Sequence, residues 1–317
     1  MKKKRKKKIK IKKKNFALFI IVVMLLAYSI TQVIFLVVKV ITSPKKEIEI
    51  KEEKPIEKKK KETKPDETKK EEKSNDSEIT INEKIDYFNK EYLDRYLSYK
   101  RNNNTLTDEQ IIKNVNMQLD KTPYKDIIKA NNLNTEKVLV NKYYYLEEDY
   151  VPDDLETISS TYALSNMKLV HEAKEAFESL SKAAAKEKLK IIAMSSYRSY
   201  SYQVNLYNRY VKQDGKEDAD TYSGRPGHSE HQTGLAVDVY NQDETYTNFE
   251  KTKEYKWMQQ HAQEYGFILR FPKDKEDETG YHFESWHYRY VGKEIAEYIK
   301  ENNISFEEYY ATIIKDW

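Results

Sequence analysis

The chain has 317 residues, 34% of them charged, with 56 Lys and Arg against 53 Asp and Glu and a mean hydropathy of −0.91. The formal net charge of +3 conceals strong local asymmetry, and so charged a chain is not one uniform globule. It contains no cysteine, which excludes disulfides, thiolate zinc sites and lipidated cysteines, so any exported domain must hold together by its core.

Eleven of the first fourteen residues are Lys or Arg. Alone, that run suits a nucleic-acid tail. Residues 16–38, "FALFIIVVMLLAYSITQVIFLVV", argue otherwise, because these 23 residues carry no charge. About 20 apolar residues suffice for a helix to cross a bilayer. A cleaved signal peptide is the alternative, but its apolar region is usually shorter and ends at small residues that 39–42 lack. The sequence therefore predicts an uncleaved anchor over 15–42, with the basic tail 1–14 held in the cytoplasm and the rest outside the cell membrane. Partners expected on these grounds include the membrane and exclude nucleic acid. Residues 43–79 are mostly Lys, Glu and Pro and cannot bury a core, so they read as a disordered tether.

From residue 80 the composition becomes globular. "TDEQIIKNVNMQL" offers Thr107 as an N-cap with Gln110 three residues on, and Ile111, Ile112, Val115 and Leu119 follow at helical spacing. Residues 137–146, "KVLVNKYYYL", read as a strand from their β-branched and aromatic content. Pro152 and Asp153 mark a turn. A helix is predicted over 164–188, with Leu164, Met167, Val170, Phe177, Leu180 and Ala184 on one face. "KIIAMSSYRS" (190–199) reads as a buried strand entering a polar turn, and "YSYQVNLYNRYVKQ" after it as a helix. "LAVDV" (235–239) is a short buried strand. A helix over 252–265 is closed by Gly266, and "FILRF" follows as a strand stopped by Pro272. "YHFESWHYRYV" (281–291) is a further strand candidate, and two helices finish the chain. This mixture lacks a regular βαβ rhythm, so the fold class expected is α+β, a small antiparallel sheet flanked by helices. The ectodomain divides into a helical extension over 80–140 and a catalytic domain over 141–317.

Two clusters of imidazole and carboxylate stand out. "HSEHQTGLAVD" holds His228, Glu230, His231 and Asp238, and "HFESWH" holds His282, Glu284 and His287. Asp238 sits inside a buried-strand signature with no Lys or Arg in the strand. A carboxylate there needs a cation, which is a metal or a salt bridge supplied from elsewhere. Gly224, Gly227 and Gly234 bracket the first cluster and permit the sharp turns of an ion-wrapping loop. In a continuous strand Glu284 and His287 point to opposite faces, so for both to serve one site Glu284 must precede the strand or the chain must bend, with Trp286 as a brace. Together the clusters supply the parts of a hydrolytic zinc site: three ligands and a spare carboxylate as base. His228 reads as a turn hydrogen-bonder, His282 as a cleft neighbour at most, and His171 and His261 as helix-surface or core-edge residues.

"SSYRS", Gln203 five residues after its arginine, "PGHSEHQTGLAVDV", "ESWH" and "RYVG" resemble the VanY-type D-alanyl-D-alanine carboxypeptidases, zinc peptidases that trim cell-wall stem peptides. The pattern S-x-H-x-x-G-x-A-x-D, then E-x-W-H, is met at Ser229, His231, Gly234, Ala236, Asp238, Glu284, Trp286 and His287. The resemblance covers about residues 141–292. It implies one Zn2+ held by His231, Asp238 and His287. It implies Glu284 as the base that takes a proton from the attacking water and passes it to the leaving amine. By the same resemblance Arg198 steadies the oxyanion or the substrate carbonyl, Gln203 and Ser229 hold the substrate's C-terminal end, and Tyr197 and Trp286 shape the pocket wall. The expected substrate is the peptidoglycan stem peptide, cut as a D,D-carboxypeptidase. The alternatives are an L,D-carboxypeptidase on tetrapeptides, a cross-link endopeptidase, and a non-catalytic zinc-containing wall-binding module.

Overall fold

A computed structural model describes residues 79–243 and 245–317. The basic tail, the anchor and nearly all of the tether expected over 1–79 lie outside the described residues, and among those described no helix is long and apolar enough to cross a membrane. Two helices come first, α1 (Leu93–Asn102) and α2 (Asp108–Asn116). The capping box expected at Thr107 and Gln110 is present, each side chain bonding the other's backbone N–H. Tyr96 from α1 and Ile111, Ile112 and Val115 from α2 form a small buried cluster, and the helix ends at Asn116, before Leu119.

β1 (Ile128–Lys129) and β2 (Tyr144–Tyr145) pair in parallel. The strand expected over 137–146 shrinks to Tyr144–Tyr145. Val138, Leu139 and Val140 are buried, but as irregular backbone. The Val138 carbonyl accepts a hydrogen bond from the Arg289 guanidinium, where a ladder would demand a strand neighbour. β3 (Leu155–Thr157) and β4 (Lys168–Val170) form an antiparallel pair. The helix expected from 164 begins only at His171, as α3 (His171–Lys186). Asn166 takes a left-handed φ of 65°, which turns the chain, and Lys168–Val170 is spent on the ladder with β3. Leu164 is consequently exposed, while Phe177, Leu180 and Ala184 face the core as expected.

The main sheet is antiparallel, in the order β5–β6–β8–β7. Its strands are β5 (Ile192–Ser195), β6 (Ala236–Tyr240), β7 (Phe267–Leu269) and β8 (His287–Tyr290), and the helix α4 (Tyr200–Asp214) follows β5. The helix α5 (Lys253–His261) continues as a tighter turn to Gly266, whose φ of 80° stops it and launches β7. One face of the sheet packs Val237, Val239, Phe267 and Tyr288 against Phe177 and Leu180 of α3. Burying such a side chain is worth roughly 1.5–3 kcal/mol. The helix α6 (Lys293–Asn302) and the helical segment Phe306–Ile314, the two final helices expected, close a third cluster with Leu139, Tyr144 and Ile268. The α+β class with a small antiparallel sheet and flanking helices is therefore observed.

Candidate active site

Alternation along β6 decides what faces the cleft. Val237 and Val239 enter the core, so Asp238 emerges on the opposite face. Strand register then places neighbours: Asp238 lies opposite His287 on β8 and Ser195 on β5. His231 arrives from the 3₁₀ turn Glu230–Thr233, just before the strand. Gly234 ends that turn at φ 70°, and a Cβ there would stand 2.8 Å from Leu155 Cδ2. Glu284 precedes β8 in a turn, its N–H bonded to the Phe271 carbonyl, so the bend required for Glu284 and His287 to share one site is present.

His231, Asp238 and His287 offer ligand atoms that all lie within 4.8 Å of one another, and all three residues are buried. His231 Nδ1 is tied to the Ser196 carbonyl at 2.7 Å, and its Nε2 stands 3.3 Å from Asp238 Oδ2. His287 Nδ1 stands 3.0 Å from Asp238 Oδ1 and 3.7 Å from Glu284 Oε2. Two imidazole nitrogens and a carboxylate converging on one buried spot fit the donor set of zinc. An exposed group, Glu156, His171 and Glu175, also converges, but the Lys174 ammonium already bridges its two carboxylates at 3.2 and 2.7 Å.

Arg198 departs from the expected picture in one respect. Its Nη2 lies 2.5 Å from Asp238 Oδ2 and 2.7 Å from Ser195 Oγ. The strand itself has no cation for Asp238, but the following turn of β5 supplies one. Burial opposes ionisation of Asp238, yet His231 and Arg198 outweigh it and hold the carboxyl well below its ordinary range. Burial, with Arg198 beside it, pushes His231 down to about 4. At His287 burial is overcome by the hydrogen bond to Asp238 and by the nearby Glu230 carboxylate, and the value rises to about 9. Burial pushes Glu284 up to about 8, aided by Asp238 and opposed by His287 and Arg198. Among the described residues no side-chain hydrogen bond ties the Glu284 carboxylate down.

A cleft of about 760 Å³ opens over these groups. Arg198, Gln203, Ser229, Glu284 and Trp286 all line it. Gln203 donates to the Gly224 carbonyl at 2.7 Å, and its own carbonyl oxygen is buried without a partner. Trp286 meets Tyr246 edge-on at 5.0 Å. Tyr197 does not line the cleft, contrary to expectation; its N–H bonds the Lys168 carbonyl, and the next residue, Arg198, is the one that enters. His228 bonds the Asn141 carbonyl through Nδ1, a partner far along the chain rather than one within its own turn as expected, and His282 borders the cleft. His261 pairs with Glu264 and packs on Trp257.

Sequence reasoning counted Glu230 in the first cluster without giving it a task. It is buried and accepts from both Arg270 and Arg289. The available signal was an arginine inside each of two buried strands, "FILRF" and "HYRYV", since a buried guanidinium demands a buried acid.

A sequence profile described as VanY, D-alanyl-D-alanine carboxypeptidase, matches residues 166–293. The Bacillus subtilis (strain 168) protein YodJ is 37% identical over 216 residues, 64% of this chain and 79% of that protein. The Enterococcus gallinarum protein VanXYC, a bifunctional D-Ala-D-Ala dipeptidase and D-Ala-D-Ala carboxypeptidase, is 32% identical over 177 residues, 54% of this chain and 92% of its own. A solved structure of the LdcB LD-carboxypeptidase superposes with a TM-score of 0.56 at 37% identity, covering 60% of this chain and 92% of that one.

Proposed function

Because this chain belongs to the VanY family of D-alanyl-D-alanine carboxypeptidases and carries the zinc ligand set His231, Asp238 and His287, we propose that it removes the C-terminal D-alanine from peptidoglycan stem peptides. The observation that carries the reading is Glu284: a buried carboxyl, free of side-chain hydrogen bonds, facing the ligand set from the cleft wall. A zinc ion in the set supplies Lewis-acid polarisation and makes water a competent nucleophile near neutral pH.

The chain's own groups do the rest. Glu284 takes a proton from the attacking water on its carboxylate and delivers it to the amine of the departing alanine. With zinc in the set, the ionised form of Glu284 would be favoured against the burial that raises its value in the metal-free site, which suits a group that must both accept and give. Arg198 stands at the cleft edge of Asp238 and turns its guanidinium to the developing negative charge, where low dielectric makes it count most. Gln203 and Ser229 hold the terminal carboxylate end, and Trp286 walls the pocket.

The basic residues 2–14 and the apolar run 16–38 support a position at the cell membrane with the catalytic part outside, within reach of the wall. A second reading, L,D-carboxypeptidase action on tetrapeptides, is favoured by the likeness to LdcB. Mass spectrometry of muropeptides incubated with the protein decides between them. Loss of one alanine from pentapeptide supports the first reading, loss from tetrapeptide supports the second, and no loss from either defeats both. Glu284→Gln is expected to keep zinc while turnover falls roughly 10²–10⁴-fold; full activity in that variant would assign the base elsewhere.

A further inference from the structure

The ligand His287 has two nitrogens, and only one faces Asp238. The other, Nε2, is buried and has no hydrogen-bond partner. Glu230 Oε2 stands 3.7 Å from it, likewise buried and without a partner. A slight turn of either side chain brings the two into hydrogen-bond range.

Glu230 is not free to move elsewhere. Its other oxygen, Oε1, accepts from Arg270 Nε at 2.8 Å and from Arg289 Nη1 at 2.9 Å. Arg270 in turn holds Glu307 through both terminal nitrogens, at 2.8 and 2.6 Å. Arg289 is pinned by the carbonyls of Glu136 and Val138. Both guanidinium groups are essentially inaccessible to solvent. Buried ion pairs of this kind add little stability over a well-packed apolar substitute. Stability therefore does not explain why the ladder ends in an oxygen aimed at a ligand's back.

We propose that Glu230, clamped by Arg270 and Arg289, is a positioning residue that holds a proton on His287 Nε2 and so presents the Nδ1 lone pair to the metal. A ligating imidazole commonly donates its second N–H to an acceptor, which fixes tautomer and ring angle. Glu307 is the outer brace: it lies beyond the matched region 166–293 and locks Arg270 from the C-terminal segment. The inference rests on the ligand set named in the proposed function.

The test uses the whole protein. Long-range 15N–1H spectra of the histidine-labelled wild type, zinc-loaded and, for the metal-free form, taken above pH 10 where His287 is neutral, should show His287 protonated at Nε2 alone. A proton on Nδ1 in the metal-free form, with Nε2 bare, overturns the inference. Glu230→Gln and Glu230→Asp are then compared for zinc affinity by chelator competition and for melting of the metal-free form. The aspartate keeps the charge for the arginines but loses reach to His287. Zinc binding is expected to weaken roughly 10- to 100-fold in any folded variant. A ladder that merely supports the fold would lower the melting temperature and leave zinc affinity as in the wild type, and that result also overturns it. A wild type that takes up no zinc would count against the proposed function, while the tautomer in the metal-free protein would still judge Glu230.

Discussion

His287, with its value raised to about 9, and Glu284, raised to about 8, set the behaviour of the metal-free site. Both bind protons more tightly folded than unfolded. The His287 contribution is complete below its unfolded value of 6.5 and is lost as pH climbs through about 9; the raised Glu284 acts in the same direction above 4.5. The melting temperature of metal-free protein should therefore fall between pH 6.5 and 9, and differential scanning calorimetry across that window would show a flat or rising trend if the assignment is wrong. Zinc uptake at pH 7 must expel these protons. Calorimetric titration in buffers of unlike ionisation enthalpy should register their release, shrinking as pH approaches 10. His231→Ala removes a buried ligand whose ring is already oriented by the Ser196 carbonyl. The purified variant should contain no stoichiometric zinc by elemental analysis.

Among the elements, β6 and the turn before it were the most legible. "LAVDV" announced a buried strand, and its lone carboxylate announced a cation, because burial of an unpaired charge is so unfavourable. The helix stop at Gly266 and the Thr107 cap were equally readable, since each depends on local backbone chemistry. What escaped was what tertiary partners decide. Residues 168–170 have helical spacing with α3 but pair with β3 instead. Residues 137–140 have strand composition, yet the Val138 carbonyl serves Arg289 rather than a neighbouring strand. Tyr197 and Arg198 are adjacent, and nothing in "SSYRS" tells which of them enters the cleft. The turn that carries His231 depends on Gly234 having no side chain. Gly234→Ala combines a left-handed φ with a Cβ 2.8 Å from Leu155 and 3.0 Å from Val170. It should cost about 1–3 kcal/mol, seen as a lower urea midpoint, and should loosen zinc through His231.

At the scale of the molecule, two apolar clusters share the main sheet, whose opposite face carries the chemistry, and a third is built by the first two helices. Residues 80–317 hold all three clusters, every candidate ligand and Glu307, and should fold as a soluble, zinc-binding unit when produced without 1–79. Failure to do so, judged by a missing cooperative thermal transition, would assign the preceding residues a structural part. The Glu307–Arg270 pair sets a stricter boundary. Trimming to the recognised segment 166–293 keeps each zinc-binding side chain while discarding the acid that neutralises one interior arginine and the Val138 carbonyl that caps the other. Such an excised fragment would enclose surplus positive charge directly behind the catalytic floor. Boundaries for producing this enzyme are thus dictated by where its hidden charges balance, not by where its family signature stops.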